Sequence, residues 1–503
     1  MTAFFRHDAA ELHFYTHARA WGLPANVYKL PLDLVPHPLQ AVEYRHSKGG
    51  GVFAAQVTFQ LLWTQELTET QAASGWDEIL RDDDWWELYA WTNGIRHVVD
   101  FGLIDRITPA TQVTGQGTTV RSWTIQARSW AKVIDDTQIW FCEVGSTVNF
   151  IGEAVLGLLN WNPGGSPDDL CRQLVQGFLR PPEGSGGAWA APDTYQREDT
   201  SWWYMARMLD LVTWVDRCRG FTPVVNEATG TDFNLSELLH NWGNLAFNEL
   251  FFDLRPRAPG QLVPAMVMRE QPFPTEFRTG GGVLNSSAAT GLSAWRALPE
   301  VEIPRTQVLG GETLGRGGAG RVNTIMLSST IDVFSVAEQL KLSPPHLDEA
   351  SARVHGLRKL ELTTRFSSRL EGEEAGRWRY LLQQWYAPLP ELYDGSIPLA
   401  GFDPRLRLGR RVRITEESPT VPELRAYIEG VSLSWTPSGW YTTLTVSRGV
   451  YGGEDLYLDA IARTTTNLPV RATPTVPLVP ASDDLACYNT STDLVWRAAD
   501  VAE

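Results

Sequence analysis

A chain of 503 residues is too long for one hydrophobic core and divides into several domains. Its 43% hydrophobic and 20% charged content excludes a disordered polypeptide. The 43 Lys plus Arg against 59 Asp plus Glu, net −16, exclude nucleic-acid binding through the overall field, though not through a local basic face. Residues Met1–Tyr15 carry Arg6, His7, Asp8 and Glu11 where a signal peptide needs an apolar core. The most apolar run, Asn149–Trp161, is broken by Glu153 and is shorter than the roughly 20 residues of a membrane span. No membrane segment and synthesis in a cytoplasm are therefore expected. Cys142, Cys171, Cys218 and Cys487 lie far apart without a C-x-x-C pair, a pattern of buried free thiols and not of disulfides or zinc.

In chain order, Pro24, Pro31, Pro36 and Pro38 predict an irregular arm up to about residue 50. Val57, Phe59, Leu61 and Trp63 then alternate with polar neighbours, the period of a half-buried strand, and Trp85–Trp91 and Val98–Ile107 continue the pattern. After a polar turn with Gly115 and Gly117, Trp123, Ile125 and Ala127 alternate again, so the region reads as an antiparallel barrel or sandwich. Ser166, Pro167, Asp168 and Asp169 begin a helix whose apolar stripe is Leu170, Leu174, Val175 and Phe178. Met205, Met208, Leu209, Val212 and Val215 predict a second helix, and Asn234 with Glu237 predicts a capping box for a third through Trp242. Strands are expected at Phe247–Leu254 and Pro264–Glu270, an exposed loop over 280–320, and helices within 335–355 and over Glu371–Tyr386.

From Arg405 to Ile414, Leu406, Leu408, Val412 and Ile414 take one parity and Arg405, Arg407, Arg411 and Arg413 the other, which predicts one strand with an arginine face. Val431, Leu433 and Trp435, the turn Thr436–Gly439, then Trp440, Thr442, Leu444 and Val446 predict a long hairpin. Gly102-Leu103-Ile104 with its following strand matches Gly430-Val431-Ser432 with its own, which suggests a duplicated β module. Beyond Tyr457 a Thr-, Pro- and Ala-rich tail lies extended.

Chemistry-bearing motifs are sparse. Gly315-Arg316-Gly317-Gly318-Ala319-Gly320 satisfies G-x-G-x-x-G but runs from loop into strand, the wrong setting for a dinucleotide cradle. His7, His13 and His17 would pair as metal ligands only on a helix, and surface histidines are the simpler reading. Glycoside hydrolysis needs only two acids at the right distance in space, for which Asp82-Asp83-Asp84 and Glu416-Glu417 are the weakest of candidates, since runs of charge are usually solvated faces. No catalytic residue, cofactor site or metal site is assigned. With 21 tryptophans, Trp63, Trp91 and Trp123 among them, aromatic filling of a core or interface competes with stacking platforms for sugars. The arginine face has three readings: DNA contact, acids of a neighbouring subunit, or water. At net charge −16 a protein interface is the favoured functional one, with Arg405, Arg407, Arg411, Arg413, Trp435 and Trp440 as its candidate residues.

Four segments carry a resemblance to a known family: Asp394–Leu399, Arg407–Val412, Tyr427–Ser432 and Thr442–Gly449. They resemble the C-terminal part of phage tail hub proteins, the central baseplate proteins that join a tail tube to its spike. Leu235–Phe252 and Val263–Phe273 fit the same resemblance. It implies a mixed α+β fold with two antiparallel tail-tube-like β-barrel modules and intervening helical or mixed domains. The expected division is an arm at 1–50, a first barrel at 51–148, a helical domain at 149–232 and a helix with a β-hairpin at 233–300. A mixed segment at 301–392, second-barrel strands at 393–455 and a tail at 456–503 complete it. The resemblance also implies no enzyme activity and a homotrimer in a virion baseplate, made in a bacterial host cytoplasm. A tail tube or distal tail protein would lie above it and a spike below. Tape-measure protein and transiting DNA would pass through its lumen. The competing expectation, raised by the tryptophans, is a carbohydrate-binding or glycoside-hydrolysing tail protein.

Overall fold

The computed structural model describes residues 8–16, 26–30, 38–48, 52–62, 75–113, 119–136, 138–139, 171, 212–215, 233–243, 247–258, 261–273, 295–316, 321–329, 346–364, 382, 385–386, 389–415, 422–452, 486–487 and 496–497. The first strands are β1 (Asp8–Thr16), β2 (Asn26–Leu30), β3 (Leu39–Ser47), β4 (Gln56–Leu62), β5 (Trp85–Thr92), β6 (Ile95–Val113) and β7 (Thr119–Ser129). Alternation makes them: in β4, Val57, Phe59 and Leu61 are buried while Gln56 and Gln60 are exposed. Asn93 and Gly94, both at positive φ, form the tight turn that returns β5 into β6. The predicted irregular arm is corrected here. Its described residues form β1, β2 and β3, because the prolines fall between the strands and not within them.

The middle of the chain supplies β8 (Gln138–Ile139), β9 (Val212–Val215), β10 (Phe233–Asn234), a helix at Leu235–Trp242, β11 (Asn248–Ala258) and β12 (Gln261–Glu270). β11 and β12 are an antiparallel hairpin, and β9 joins β12 in parallel. Val212 and Val215 thus lie on a strand and not on the predicted helix, since β12 offers them a ladder. The helix after Asn234 forms, yet Asn234 makes no side-chain cap. Of the helix predicted from Ser166 only Cys171 is described, and it is helical and buried; most of 149–232, Trp63 and the greater part of Glu371–Tyr386 lie outside the described residues.

The second half contains β13 (Glu300–Ile303), β14 (Thr313–Gly315), β15 (Thr324–Ser329), β16 (His346–Leu347), a helix at Glu349–His355 and β17 (Lys359–Thr364). It continues with β18 (Tyr393–Ala400), β19 (Arg411–Ile414), β20 (Leu424–Thr436) and β21 (Gly439–Tyr451). Within the predicted 280–320 loop, β13 and β14 are strands, held by pairing with β19 and β18. The hairpin turn is tight: Thr436 faces Gly439 across Pro437 and Ser438. Ala486–Cys487 and Trp496–Arg497 pair as two short strands in the expected tail.

The described residues are mostly β-sheet with few short helices. Thirteen strands share one sheet, in the order β14-β18-β21-β20-β3-β4-β7-β6-β5-β1-β2, with β19 and β13 set beside β20. The strand pairings among the described residues define no closed barrel. The strand pairing nevertheless repeats. β3, β4, β5, β6 and β7 pair as β3-β4, β4-β7, β7-β6 and β6-β5. β14, β18, β19, β20 and β21 follow in the same chain order and pair as β14-β18, β18-β21, β21-β20 and β20-β19. Gly102 lies where β6 still pairs with β5, and Gly430 lies where β20 has left β19 and pairs with β3. A Cβ on Gly102 would lie 2.0 Å from the Arg128 carbonyl oxygen, and one on Gly430 would lie 3.2 Å from the Thr445 Cβ.

The sheet curls on itself. Indole Nε1 of Trp440 on β21 donates to the Ala9 carbonyl of β1 at 3.1 Å, although the two strands are far apart in the sheet order. The core inside the sheet runs from Phe14 and Phe59 through Trp86 and Trp123 to Trp435 and Trp440, and a second cluster gathers Phe247, Phe273, Trp295 and Trp385. Trp76, Trp86, Trp123, Trp130, Trp295, Trp385 and Trp440 are fully buried, so these seven are core fillers and not sugar platforms.

Candidate functional site

The two repeats meet along one antiparallel ladder, from Gly430 facing Ser47 to Trp435 facing Val42. At its end Lys48 donates its backbone N–H to the Glu429 carbonyl at 3.0 Å. The Lys48 side chain turns inward, because β11 offers a carboxylate there: Nζ lies 2.6 Å from Glu249 Oε2 and 3.9 Å from the Tyr427 ring centroid. Tyr427 of β20 donates its hydroxyl to Glu249, and Arg269 of β12 bonds the other Glu249 oxygen. Arg269 also donates to the Gly409 carbonyl at 2.6 Å. One buried carboxylate therefore ties the first repeat, the second repeat and the β11–β12 hairpin together.

Gly409 is required at this junction. Its φ is +70°, and a Cβ would lie 2.6 Å from Phe251 Cζ and 2.7 Å from Arg269 Nη2. Burial alone would raise the Glu249 carboxyl, but Lys48 and Arg269 overcome it and hold the carboxyl at about 2.

A second buried cluster lies alongside. Arg407 reaches Asp253 Oδ1 of β11 at 3.1 Å and the Val98 and Val99 carbonyls of β6 at 3.2 Å each. Asp253 is buried, which opposes its ionisation, yet Arg407 and Arg255 hold its carboxyl below the usual range. Tyr44 of β3 donates to Asp100 Oδ2 at 2.9 Å, and the Phe101 amide donates to Asp100 Oδ1 at 2.9 Å. Burial pushes the Asp100 carboxyl up to about 7, against the opposing pull of the Phe101 amide and Arg407. Burial also lowers the neighbouring His46 imidazole to about 4, so it is neutral. A small pocket opens here, lined on its polar side by Tyr44, His46, Asp253 and Arg407. No nucleophile–base pair sits in either cluster. Their geometry holds elements together.

The six candidate residues are dispersed. The predicted arginine strand begins only at Arg411; Arg405 and Arg407 lie in the turns before it, where Gly409 takes its positive φ. Leu406 and Leu408 still point into the core, so the alternation reported side-chain direction without an extended ladder. Arg405 is exposed and grips Asp403 at 2.7 Å. Arg411 and Arg413 face Glu300 and Glu302 across the parallel β13–β19 pair, with Arg411 Nη1 3.4 Å from Glu300 and Arg413 Nη1 3.5 Å from Glu302. Arg413 Nε also donates to Glu423 at 2.9 Å. Trp435 and Trp440 are cross-strand neighbours, both buried in the chain's own core. Of the six, Arg405 and Arg413 keep substantial exposure.

His13 is a buried strand residue bonded to Glu11 at 2.6 Å and not part of a helical pair; His7 and His17 lie outside the described residues. No group of three or more metal-ligating side chains occurs among the described residues. Asp83 meets Lys132 at 2.6 Å and Asp84 is buried, so that triplet is not uniformly solvated. Glu416 and Glu417 lie outside the described residues, and so do Gly317–Gly320 of the glycine-rich run. The residues that sequence reasoning missed are Lys48, Tyr44, Asp100, Glu249, Asp253 and Arg269. Their available signal was a lone charge inside an apolar run, as Asp100 in Val98–Phe101 and Asp253 in Leu250–Leu254.

No protein-family model matches the chain, and no curated protein matches it. Among solved structures, it is similar to the 43 kDa tail protein of prophage MuSo2 from Shewanella oneidensis, with 10% identity, a TM-score of 0.45 and coverage of 88% of this chain and 98% of that one. A tail protein from Neisseria meningitidis matches at 10% identity and a TM-score of 0.46, over 88% of this chain and 96% of that one. A third is an E. coli protein described as a component of the type VI secretion system with structural similarity to T4 bacteriophage tail proteins gp27 and gp5. It matches at 10% identity and a TM-score of 0.36, over 83% of this chain and 74% of that one. No helix among the described residues is long and apolar enough to cross a membrane.

Proposed function

We propose that this protein is a structural hub of a phage tail or related injection machine, a homotrimeric ring that joins a tail tube to a central spike. The observation that carries the reading is the direct repeat: two strand units of identical pairing in one chain, joined edge to edge through β20 and β3. Three copies of a chain with two such units present six units around an axis. They would match a sixfold tube on one side and offer threefold symmetry to a spike on the other. The tail setting comes from the resemblance at Asp394–Leu399, Arg407–Val412, Tyr427–Ser432 and Thr442–Gly449.

In the ring each repeat becomes one wall segment of a tube-like barrel, and tape-measure protein and DNA pass through the lumen. An acidic wall would repel the DNA backbone and reduce adhesion. Arg405, exposed, and Arg413, half-buried, are the members of the arginine set that reach the surface, each paired with carboxylates of its own chain. Virion location, host-cytoplasm assembly, a tube or distal tail protein above and a spike below belong to the same reading. Native mass spectrometry with electron microscopy tests it. The expected result is three copies with six repeats around one axis, capping isolated tail tubes; a monomer at all concentrations overturns it.

A further inference from the structure

The turn before β19 gathers more positive charge than its neighbours balance. Gly409 donates its N–H to the Ile428 carbonyl at 3.0 Å, and Ile428 donates back to the Arg410 carbonyl at 2.9 Å, so the turn is fastened to β20. Arg410 Nη1 bonds the Arg405 carbonyl at 2.9 Å, and Arg255 of β11 crosses to the Leu408 carbonyl, with its Nη2 at 3.3 Å. Arg407, from the same turn, lies on Asp253. Three guanidiniums, Arg255, Arg407 and Arg410, are thereby drawn together from two elements.

The carboxylates within reach are already engaged. Asp403 is gripped by Arg405, and Glu249 by Lys48 and Arg269. Asp253 gives Oδ1 to Arg407, while its Oδ2 stays 3.9 Å from Arg255 Nε, outside hydrogen-bond range. Asp100, the other carboxyl close to Arg407, keeps its proton below about 7, and His46 is neutral. In mildly acidic solution one carboxylate therefore answers three guanidiniums.

Two atoms mark where the deficit falls. Arg255 Nε and Arg410 Nε are buried and make no hydrogen bond, and Arg255 as a whole is 8% exposed. A buried N–H without an acceptor is costly, and a guanidinium without a counter-ion more so. Burial, and then the charge of Arg255, lower the Arg410 guanidinium to about 10. Burial lowers Arg255 likewise, with Arg269 and Arg407 adding to it, although Asp253 pulls the other way. Arg410 is half-buried and exposed Arg405 flanks it, so the cluster is within reach of a small solute and too deep for the backbone of a polymer.

We propose that Arg255 and Arg410, backed by Arg407, form a binding site for a small doubly charged oxyanion of the sulfate or phosphate class, which fastens β11 to the turn before β19. The two unpaired Nε–H groups donate to different oxygens of one anion, and two negative charges are what Asp253 leaves wanting. Thermal melting of the full chain at about pH 6, in sodium sulfate against sodium chloride of equal ionic strength, tests the proposal, since sulfate stays doubly charged there while Asp100 is protonated. Millimolar sulfate should raise the wild-type melting temperature by about 2 °C, and acetate should not. Arg410→Gln removes an unbalanced charge, so it should melt no lower than wild type in chloride and should lose the sulfate increment. A wild type that sulfate does not raise overturns the site. So does an Arg410→Gln chain raised as much as wild type, because exclusion of sulfate from the surface acts on both alike. Acetate as effective as sulfate overturns the assignment to a dianion. Should Arg410→Gln fail to fold, Arg410→Lys keeps the charge without the planar fork and should bind sulfate about tenfold more weakly in titration calorimetry. Undiminished sulfate affinity in that variant also overturns the site.

Discussion

The first and second repeats have the same five strands in the same chain order and the same four pairings, yet they end differently. In the second, β20 is covered along its length by β19 and β3, and β19 is extended by β13 through the Glu300–Arg411 and Glu302–Arg413 pairs. In the first, β5 is extended by β1 and β2, and from Asp105 to Val113 the 19-residue β6 pairs with no strand on that side among the described residues. Pairing topology is thus held constant while the edges vary. Edge groups decide what a sheet can join, so the variation falls where assembly is determined.

Four substitutions probe these contacts. The largest effect is expected where both repeats meet the β11–β12 hairpin. Glu249→Ala leaves Lys48 and Arg269 buried without their carboxylate and should lower unfolding free energy by about 3–5 kcal/mol in a denaturant titration. Below its ordinary value of 4.5, wild-type Glu249 also becomes a liability: stabilisation present above that value is lost as pH falls toward about 2.

Next comes a charge peculiar to the first repeat. Asp100 is raised from 3.8 to about 7, so the native state holds its proton more tightly than the unfolded chain. Its favourable contribution is complete below 3.8 and is lost as pH rises through about 7. Asp100→Asn, which imitates the protonated form, should melt several degrees higher than wild type at pH 8 and match it near pH 4. Equal melting temperatures at both pH values would show that the seam is indifferent to this proton.

Gly409 lies between β18 and β19 of the second repeat, at positive φ. Gly409→Ala must push Phe251 or Arg269 aside and sit at positive φ, at a cost of about 1–2 kcal/mol measured by the same titration. Smallest of all is Arg405→Ala. Its ion pair with Asp403 is exposed, so the change in monomer stability should stay under about 0.5 kcal/mol.

Much of the β architecture was legible in the residues. The alternation at Val57, Phe59 and Leu61, at Trp123, Ile125 and Ala127, and through the Trp435–Trp440 hairpin marks strands that form. The match between Gly102-Leu103-Ile104 and Gly430-Val431-Ser432 does not fall at equivalent pairs, since Gly102 faces the end of β7 and Gly430 the middle of β21. The arginine face was misread for a physical reason. Parity tells which side chains point inward, and it does so in turns as well as in strands, so Leu406 and Leu408 imitated a ladder that begins only at Arg411.

The candidate site was scarcely legible, because Lys48, Glu249 and Tyr427 are brought together from positions 201 and 379 residues apart along the chain. Local residue order determined which segments are strands and where they turn, since alternation, glycine placement and turn chemistry act over a few residues. Long-range folding settles that the two units share one ladder, that the four arginines meet carboxylates of their own chain, and which edge has no neighbour among the described residues. Those outcomes depend on long-range pairing and on desolvation of charge, neither of which is written in neighbouring residues.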